Sequence, residues 1–323
     1  MHAVVLVGGF GTRLRPLTND VPKPMLPIGN RPMIVRLAER LAAGGVTDIV
    51  LALGFRPDTF RAAFPGDRVG DVRMHYAVEP EPLDTAGAIA FAARHAGIDS
   101  TFVVANGDVV TGLDIAELVD AHRTLGTDAT IHLTPVDDPS AYGVVETTEG
   151  GIVARFIEKP APGDTESHLI NGGTYVLEPV VLDLIEPGRR VSVERETFPA
   201  LVGSGRLAGH PTNDRWIDTG RPETYLEANL DHADTTDAIH PEALIAPGAR
   251  IERSIIGART RVDGDVTRSV VLPGAIIAAG ASVTDSLVWG HVPAGATLEG
   301  CVIGQDAEVP AGRHQHLRLP EPA

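Results

Sequence analysis

The chain has 323 residues, enough for about two domains that each bury a core. Its formal net charge of −16 argues against nucleic acid or an anionic membrane surface as a partner. No apolar run approaches the roughly 20 residues of a membrane helix, the first strand begins too early for a signal peptide, and one cysteine, Cys301, excludes an intrachain disulfide framework. These features predict a cytoplasmic protein.

Residues 3–7 are apolar and read as a short buried parallel strand. Gly8-Gly9-Phe10-Gly11-Thr12-Arg13-Leu14-Arg15-Pro16-Leu17-Thr18 follows, and then Pro22-Lys23-Pro24. Glycines at a strand's carboxyl end let backbone N–H groups curl around an anion. Arg13, Arg15 and Lys23 add positive charge that an acidic chain must concentrate locally, and the combination points to a triphosphate. No Gly-Lys-Ser/Thr closes the loop, so it is not a Walker loop. Counting Gly9-Phe10-Gly11 as a dinucleotide fingerprint places Leu14 where a third small residue belongs. The stretch resembles the signature of the sugar-1-phosphate nucleotidylyltransferases (NDP-sugar pyrophosphorylases), Gly-Gly-x-Gly-Thr-Arg-Leu-x-Pro-Leu-Thr then Pro-Lys-Pro, with every defined position filled. The resemblance implies a nucleotide held by Gly8, Gly9, Gly11, Thr12 and Arg13. It also implies that Arg13 and Lys23 are catalytic.

Apolar spacing predicts a helix over residues 33–43, ended by Gly44-Gly45, and a strand over 46–53. A helix over 56–64 and a strand over 72–78 follow. The alternation predicts an α/β fold, a Rossmann-like doubly wound and mostly parallel sheet, with ligands beyond the carboxyl ends of its strands. Glu79-Pro80-Glu81-Pro82-Leu83-Asp84-Thr85-Ala86-Gly87 resembles the family's Glu-Pro-Leu-Gly-Thr-Ala-Gly, with Asp84 in place of the usual glycine. Glu79, Asp84 and Thr85 are nucleotide-site candidates. A carboxylate offers only acceptors, which suits the adjacent N1–H and 2-amino donors of guanine, so Glu79 favours GTP. Residues 101–105 form a strand closed by Asn106-Gly107-Asp108. Mg²⁺ prefers hard oxygen ligands. The resemblance makes Asp108 a metal ligand beside Gly107 at the nucleotide.

A helix over 113–125 has Asp114 and Glu117 near its positive end, and a strand over 129–136 follows. Tyr142-Gly143-Val144-Val145, the strand 152–157 with Glu158-Lys159-Pro160, and Ile170-Asn171-Gly172-Gly173 again resemble family segments. They imply that Lys159 binds the sugar phosphate and that Gly143, Glu158 and Asn171 meet the sugar. The charges of Val193-Glu194-Arg195-Glu196 are read as structural. Arg215-Trp216-Ile217-Asp218-Thr219-Gly220 supplies Asp218 as the second magnesium ligand by resemblance, with Trp216 as packing, before a helix over 222–232.

Residues 1–233 therefore read as the catalytic domain and 234–243 as a polar linker. Beyond it, Ser254-Ile255-Ile256-Gly257, Ser269-Val270-Val271-Leu272, Ser286-Leu287-Val288-Trp289 and Cys301-Val302-Ile303-Gly304 start 15, 17 and 15 residues apart. Small residues in phase with one aliphatic suit a triangular solenoid of short parallel strands. The resemblance makes it a left-handed β-helix of hexapeptide-repeat type over 244–314. Cys301 takes a repeat serine's place as a small core residue. A polar tail is expected over 315–323, and His314 and His316 are read as solvated.

The implied reaction joins a nucleoside triphosphate and a sugar 1-phosphate into a nucleotide sugar and pyrophosphate, with Mg²⁺. The resemblance is closest to mannose-1-phosphate guanylyltransferases. Thymidylyl, adenylyl or uridylyl transfer to glucose 1-phosphate or a cyclitol phosphate stays open, as does a non-catalytic nucleotide-sugar-binding subunit. An incomplete solenoid stacks poorly alone, so the β-helix is expected to pack on the first domain or on another subunit, which leaves a homo-oligomer open.

Overall fold

The structure is a computed structural model describing residues 1–9, 11–54 and 57–321. Phe10 of the glycine loop and Arg56, expected to open a helix, lie outside the described residues. Packing divides the chain into two compact units. One is Met1–Gly9 with Val35–Trp216; the other is Phe10–Ile34 with Ile217–Ala323.

The first unit is built on a twisted sheet. Strands β1 (His2–Leu6), β2 (Asp48–Leu53), β3 (Val72–Val78) and β4 (Phe102–Asn106) run parallel in the order β4-β1-β2-β3. Every residue of β2 is buried, as a central parallel strand covered on both faces requires. Helix α1 (Met33–Ala43) ends at Gly45, whose φ is 87°, and α2 (Pro57–Ala63) precedes β3. This half matches the expected doubly wound arrangement.

Beyond β4 the sheet turns antiparallel. Strands β5 (Ala129–Pro135), β6 (Gly143–Thr147), β7 (Val153–Glu158) and β8 (Leu169–Leu177) are joined by loops too short for a crossover helix. Strand β8 lies antiparallel to β4 on one side and β5 on the other, and β9 (Leu207–Pro211) adds parallel to β5. Helix α3 (Asp84–His95) begins inside the stretch read as a ligand loop. Its buried face is almost all alanine, which brings the helix close to the sheet. Helix α4 (Ile115–Leu125) starts two residues later than expected, because Asp114 is its cap and accepts the N–H groups of Ala116 and Glu117. A π-turn at Val193–Thr197 leads into α5 (Phe198–Gly203).

The second unit holds the hairpin Pro27–Ile28/Arg31–Pro32, α6 (Pro222–Leu230) and a coil of parallel strands. The coil has three strips of stacked two- and three-residue strands, the arrangement of a left-handed β-helix. Val262, Ile277 and Val292 fill one side, Val266, Val283 and Leu298 the second, and Ile256, Val271, Val288 and Ile303 the third. The repeated serines form a hydrogen-bonded corner. Ser254 Oγ accepts the N–H of Ser269, Ser269 Oγ that of Ser286, and Ser286 Oγ that of Cys301, at 3.0–3.1 Å. The residue before each of them, Arg253, Arg268, Asp285 or Gly300, is left-handed. Cys301 is buried in this ladder, as expected.

Both ends of the coil extend past their expected limits. Arg313–Gln315 and Arg318–Leu319 pair with Thr297–Glu299 and Val302–Ile303, so the coil runs on past residue 314 into the expected tail, because Leu317 and Leu319 continue the apolar interior. His314 Nε2 donates to the carbonyl of Pro310 at 2.8 Å. At the other end, Ile239 bridges to Ile256 and the His240 N–H meets the Ile256 carbonyl, which an end strand would otherwise leave unpaired. Among the described residues no helix is long and apolar enough to cross a membrane.

Candidate active site

In the first unit the carboxyl ends of β1, β3 and β4 gather Gly8, Glu79 and Gly107-Asp108. Gly8 faces Gly54, and among the described residues nothing lies within 4 Å of where a Cβ on Gly9 would stand. The Gly107 N–H bonds the Leu6 carbonyl at 2.9 Å, and a Cβ there would lie 2.7 Å from Val7 Cγ1. Only glycine fits, and the tight turn carries the half-buried Asp108 just past the strand end. Glu79 Oε2 accepts the Leu83 N–H at 2.9 Å, leaving Oε1 toward Gly8. Burial pushes the Glu79 carboxyl up, against the pull of that N–H.

Asp84, in the place of the family's glycine, has φ 60°. That left-handed conformation explains the glycine preference, and an Asp tolerates it better than most side chains. Its Oδ1 accepts the Thr85 N–H at 2.8 Å, and Arg190 lies 3.7 Å from Oδ2. The Thr85 hydroxyl donates to Glu194 Oε2 and accepts the Val193 N–H, both at 2.8 Å. The Ala86 and Gly87 N–H groups meet the Val191 carbonyl. Thr85 therefore fastens α3 to the stretch at 192–194. Glu194, whose charge was read as structural, is the acceptor that makes this possible and also takes the Ser192 hydroxyl.

The expected sugar-side residues lie on β6, β7 and β8. Gly143 pairs with Glu158. A Cβ on Gly143 would meet Phe156 Cζ at 2.6 Å and Glu158 Oε2 at 3.0 Å. The missing side chain thus makes room for Phe156 and Glu158. Burial, then the Glu194 charge, pushes the Glu158 carboxyl up. Lys159 follows with φ 52° and an exposed ammonium 4.0 Å from Glu158. Strand β8 bulges between Asn171 and Tyr175. Asn171 Oδ1 accepts the Gly173 N–H at 2.9 Å and Nδ2 donates to Tyr175 Oη at 3.0 Å, so its amide shapes the bulge. Trp216 Nε1 donates to the Gly172 carbonyl and its ring stands edge-on to Tyr142, the packing role expected of it.

His132 lies under this bulge and was not singled out in the sequence. It is fully buried, its Nε2 pairs with Thr212 Oγ1 at 2.9 Å, and its Nδ1 has no partner among the described residues. A Cβ on Gly172 would stand 2.3 Å from that nitrogen. Burial lowers its pKa from 6.5 to about 4, helped by His210 and opposed by Asp214. Between those values the unfolded chain binds the extra proton, so stability is full above pH 6.5 and declines as pH falls toward 4. The decline is about 3 kcal/mol. Urea unfolding of H132Q across this range should show a flatter slope than the wild type.

In the second unit Gly11 has φ 60°, and a Cβ there would press on Thr18 and on Lys23 Cβ at 3.1–3.3 Å. Thr18 Oγ1 donates to the Gly11 carbonyl at 2.8 Å, and Thr12 opens a single 3-10 turn carrying Arg13. Lys23 is only 4% exposed, and its Nζ stands 3.5 Å from Asp218 Oδ1. A buried lysine is rare without a charged partner. Asp218 Oδ1 also accepts the Gly220 N–H at 2.8 Å. A Cβ on Gly220 would touch the Arg13 guanidinium at 2.7 Å, so this glycine lets Arg13 lie close. Lys23, Asp218 and Arg13 thus converge.

Among the described residues no three of His, Cys, Asp and Glu cluster to hold a metal alone. Asp108 and Asp218 are half-buried carboxylates, hard oxygen donors of the kind Mg²⁺ takes one or two at a time beside substrate phosphates. Each carboxylate is by its chemistry a donor that this ion accepts.

The nucleotidyl transferase family matches residues 2–235. A mannose-1-phosphate guanyltransferase of Schizosaccharomyces pombe is 42% identical over 260 residues, 79% of this chain and 71% of its own. A mannose-1-phosphate guanylyltransferase of Mycobacterium tuberculosis is 39% identical over 288 residues, 82% and 79% of the two chains. The crystal structure of HddC from Yersinia pseudotuberculosis complexed with GMP-PN superposes with a TM-score of 0.61 at 32% identity, covering 71% of this chain and 98% of that one. The signature loop, the buried Lys23–Asp218 pair and these likenesses agree: the chain belongs to the nucleotidyl transferase family.

Proposed function

We propose that the protein is a cytoplasmic enzyme that joins GTP and mannose 1-phosphate, giving GDP-mannose and pyrophosphate. The observation that carries this reading is the buried Lys23 ammonium beside Asp218, within a loop of triphosphate-binding composition. A phosphate oxygen of the sugar 1-phosphate attacks the α-phosphorus. The bond from that phosphorus to the oxygen bridging the β-phosphate breaks, and pyrophosphate leaves. The attacking oxygen is already anionic, so the reaction needs alignment and charge neutralisation rather than a general base.

Arg13 holds the departing pyrophosphate and Lys23 neutralises charge at the α-phosphate. Asp108 and Asp218 are the residues that would hold Mg²⁺, which when bound supplies charge neutralisation at the phosphate oxygens. Lys159 anchors the sugar phosphate. Glu158 faces the sugar hydroxyls, with Gly143 giving it room and Asn171 shaping the neighbouring bulge. Glu79 supports the choice of guanine, because its Oε1 is available to the paired N1–H and 2-amino donors. The names of the two relatives point the same way.

The test is pyrophosphate release from a matrix of nucleoside triphosphates and sugar 1-phosphates. GTP with mannose 1-phosphate should give the highest kcat/KM. A better rate with another base or sugar phosphate would overturn the substrate assignment and leave the reaction class standing.

A further inference from the structure

Lys23 is followed by a hairpin whose two-residue turn, Gly29-Asn30, has φ 53° and 65°. Two left-handed residues make the type I′ geometry that glycine and asparagine both serve, so the turn does not need the Asn30 amide. That amide is engaged elsewhere. Nδ2 donates to the carbonyls of Asp237 at 2.8 Å and Ile256 at 3.0 Å, with that of Ala238 at 3.4 Å. These carbonyls form the first turn of the coil. The Gly29 N–H meets Asn229 Oδ1 at 3.0 Å, and the Tyr225 hydroxyl donates to the Pro27 carbonyl. Asn229 and Tyr225 lie fully buried on α6, just beyond Asp218. Residues 10–34 accordingly pack in one unit with the coil.

We infer that Asn30 is a positioning residue: its amide fastens the hairpin behind Lys23 to the first turn of the coil and thereby sets the approach of Lys23 to Asp218. This rests on the roles proposed above for those two residues. The hairpin is tied to Lys23 by short links, the Leu26 N–H to the Lys23 carbonyl and the Met33 N–H to the Leu26 carbonyl, both at 3.0 Å. An ion pair between segments so far apart in the chain keeps its geometry only if both segments are held. The coil is then a brace for the phosphate loop.

Asn30→Gly keeps the turn and removes the clamp. Asn30→Asp keeps the size but turns an acceptor toward three carbonyls. With saturating substrates, kcat per folded enzyme should fall about tenfold in N30G and further in N30D, with the KM of the sugar 1-phosphate unchanged. A role in folding alone would lower the melting temperature and leave kcat per folded enzyme at the wild-type value, and that result would overturn the inference. Hydrogen exchange on the wild type decides the clamp without any variant. The Gly29 amide should open together with those of Ile256 and Gly257, and independent exchange of Gly29 refutes the clamp. If the wild type releases pyrophosphate from no pair in the matrix, it is the proposed reaction that fails, and the exchange result still judges the clamp.

Discussion

Lys23→Met is expected to lower kcat about a thousandfold, the scale set by losing a preorganised charge at the reacting phosphate. The position is almost sealed from water, so solvent cannot replace the ammonium. The substitution also leaves the Asp218 carboxylate without its cation at 3.5 Å, which adds a negative charge where two anionic substrates must meet. Arginine is no substitute, because its planar fork is wider than the ammonium in a packed slot. Pyrophosphate release at saturating GTP and mannose 1-phosphate measures the loss, and the melting temperature separates it from unfolding. A variant within threefold of the wild type would remove Lys23 from the chemistry.

Asp108→Asn is expected to cost a similar factor, about a thousandfold, through the loss of a hard anionic ligand. The change is nearly isosteric. The Gly107 N–H and the packing of Gly107 on Val7, which help to hold the turn, are left in place. The melting temperature separates a loss of rate from a loss of fold. The diagnostic reading is the Mg²⁺ dependence of the rate. The variant should need far more Mg²⁺ for half its maximal turnover, whereas a residue that only shapes the loop would lower the rate at every Mg²⁺ concentration alike. Undiminished turnover would exclude Asp108 as a ligand.

How much of this was legible depended on the range of the cause. The helix at Met33–Ala43 and the strand at Val72–Val78 lie where periodicity puts them, because the pattern of buried side chains is a local property. The serine spacing of the coil was readable for the same reason, since each serine bonds the backbone of its own corner and the next. Helix α3 was hidden, since Leu83 offers no capping side chain and Asp84 is left-handed. The sequence offers Thr85 as a nucleotide contact and gives no sign that its hydroxyl bonds Glu194, 109 residues away.

Taken alone, the order of residues determined the reaction class and the two architectures. A phosphate loop is a local pattern of glycines and charges, and a solenoid is a local repeat. Which part of the fold holds that loop was decided only in three dimensions. The Gly29–Asn229 bond spans 200 residues and the Asn30–Ile256 bond 226. Neither pair has a signature, because one amide N–H facing one buried acceptor can be supplied by many side chains. What holds them is the buried backbone that the fold brings alongside the loop, which no local pattern encodes.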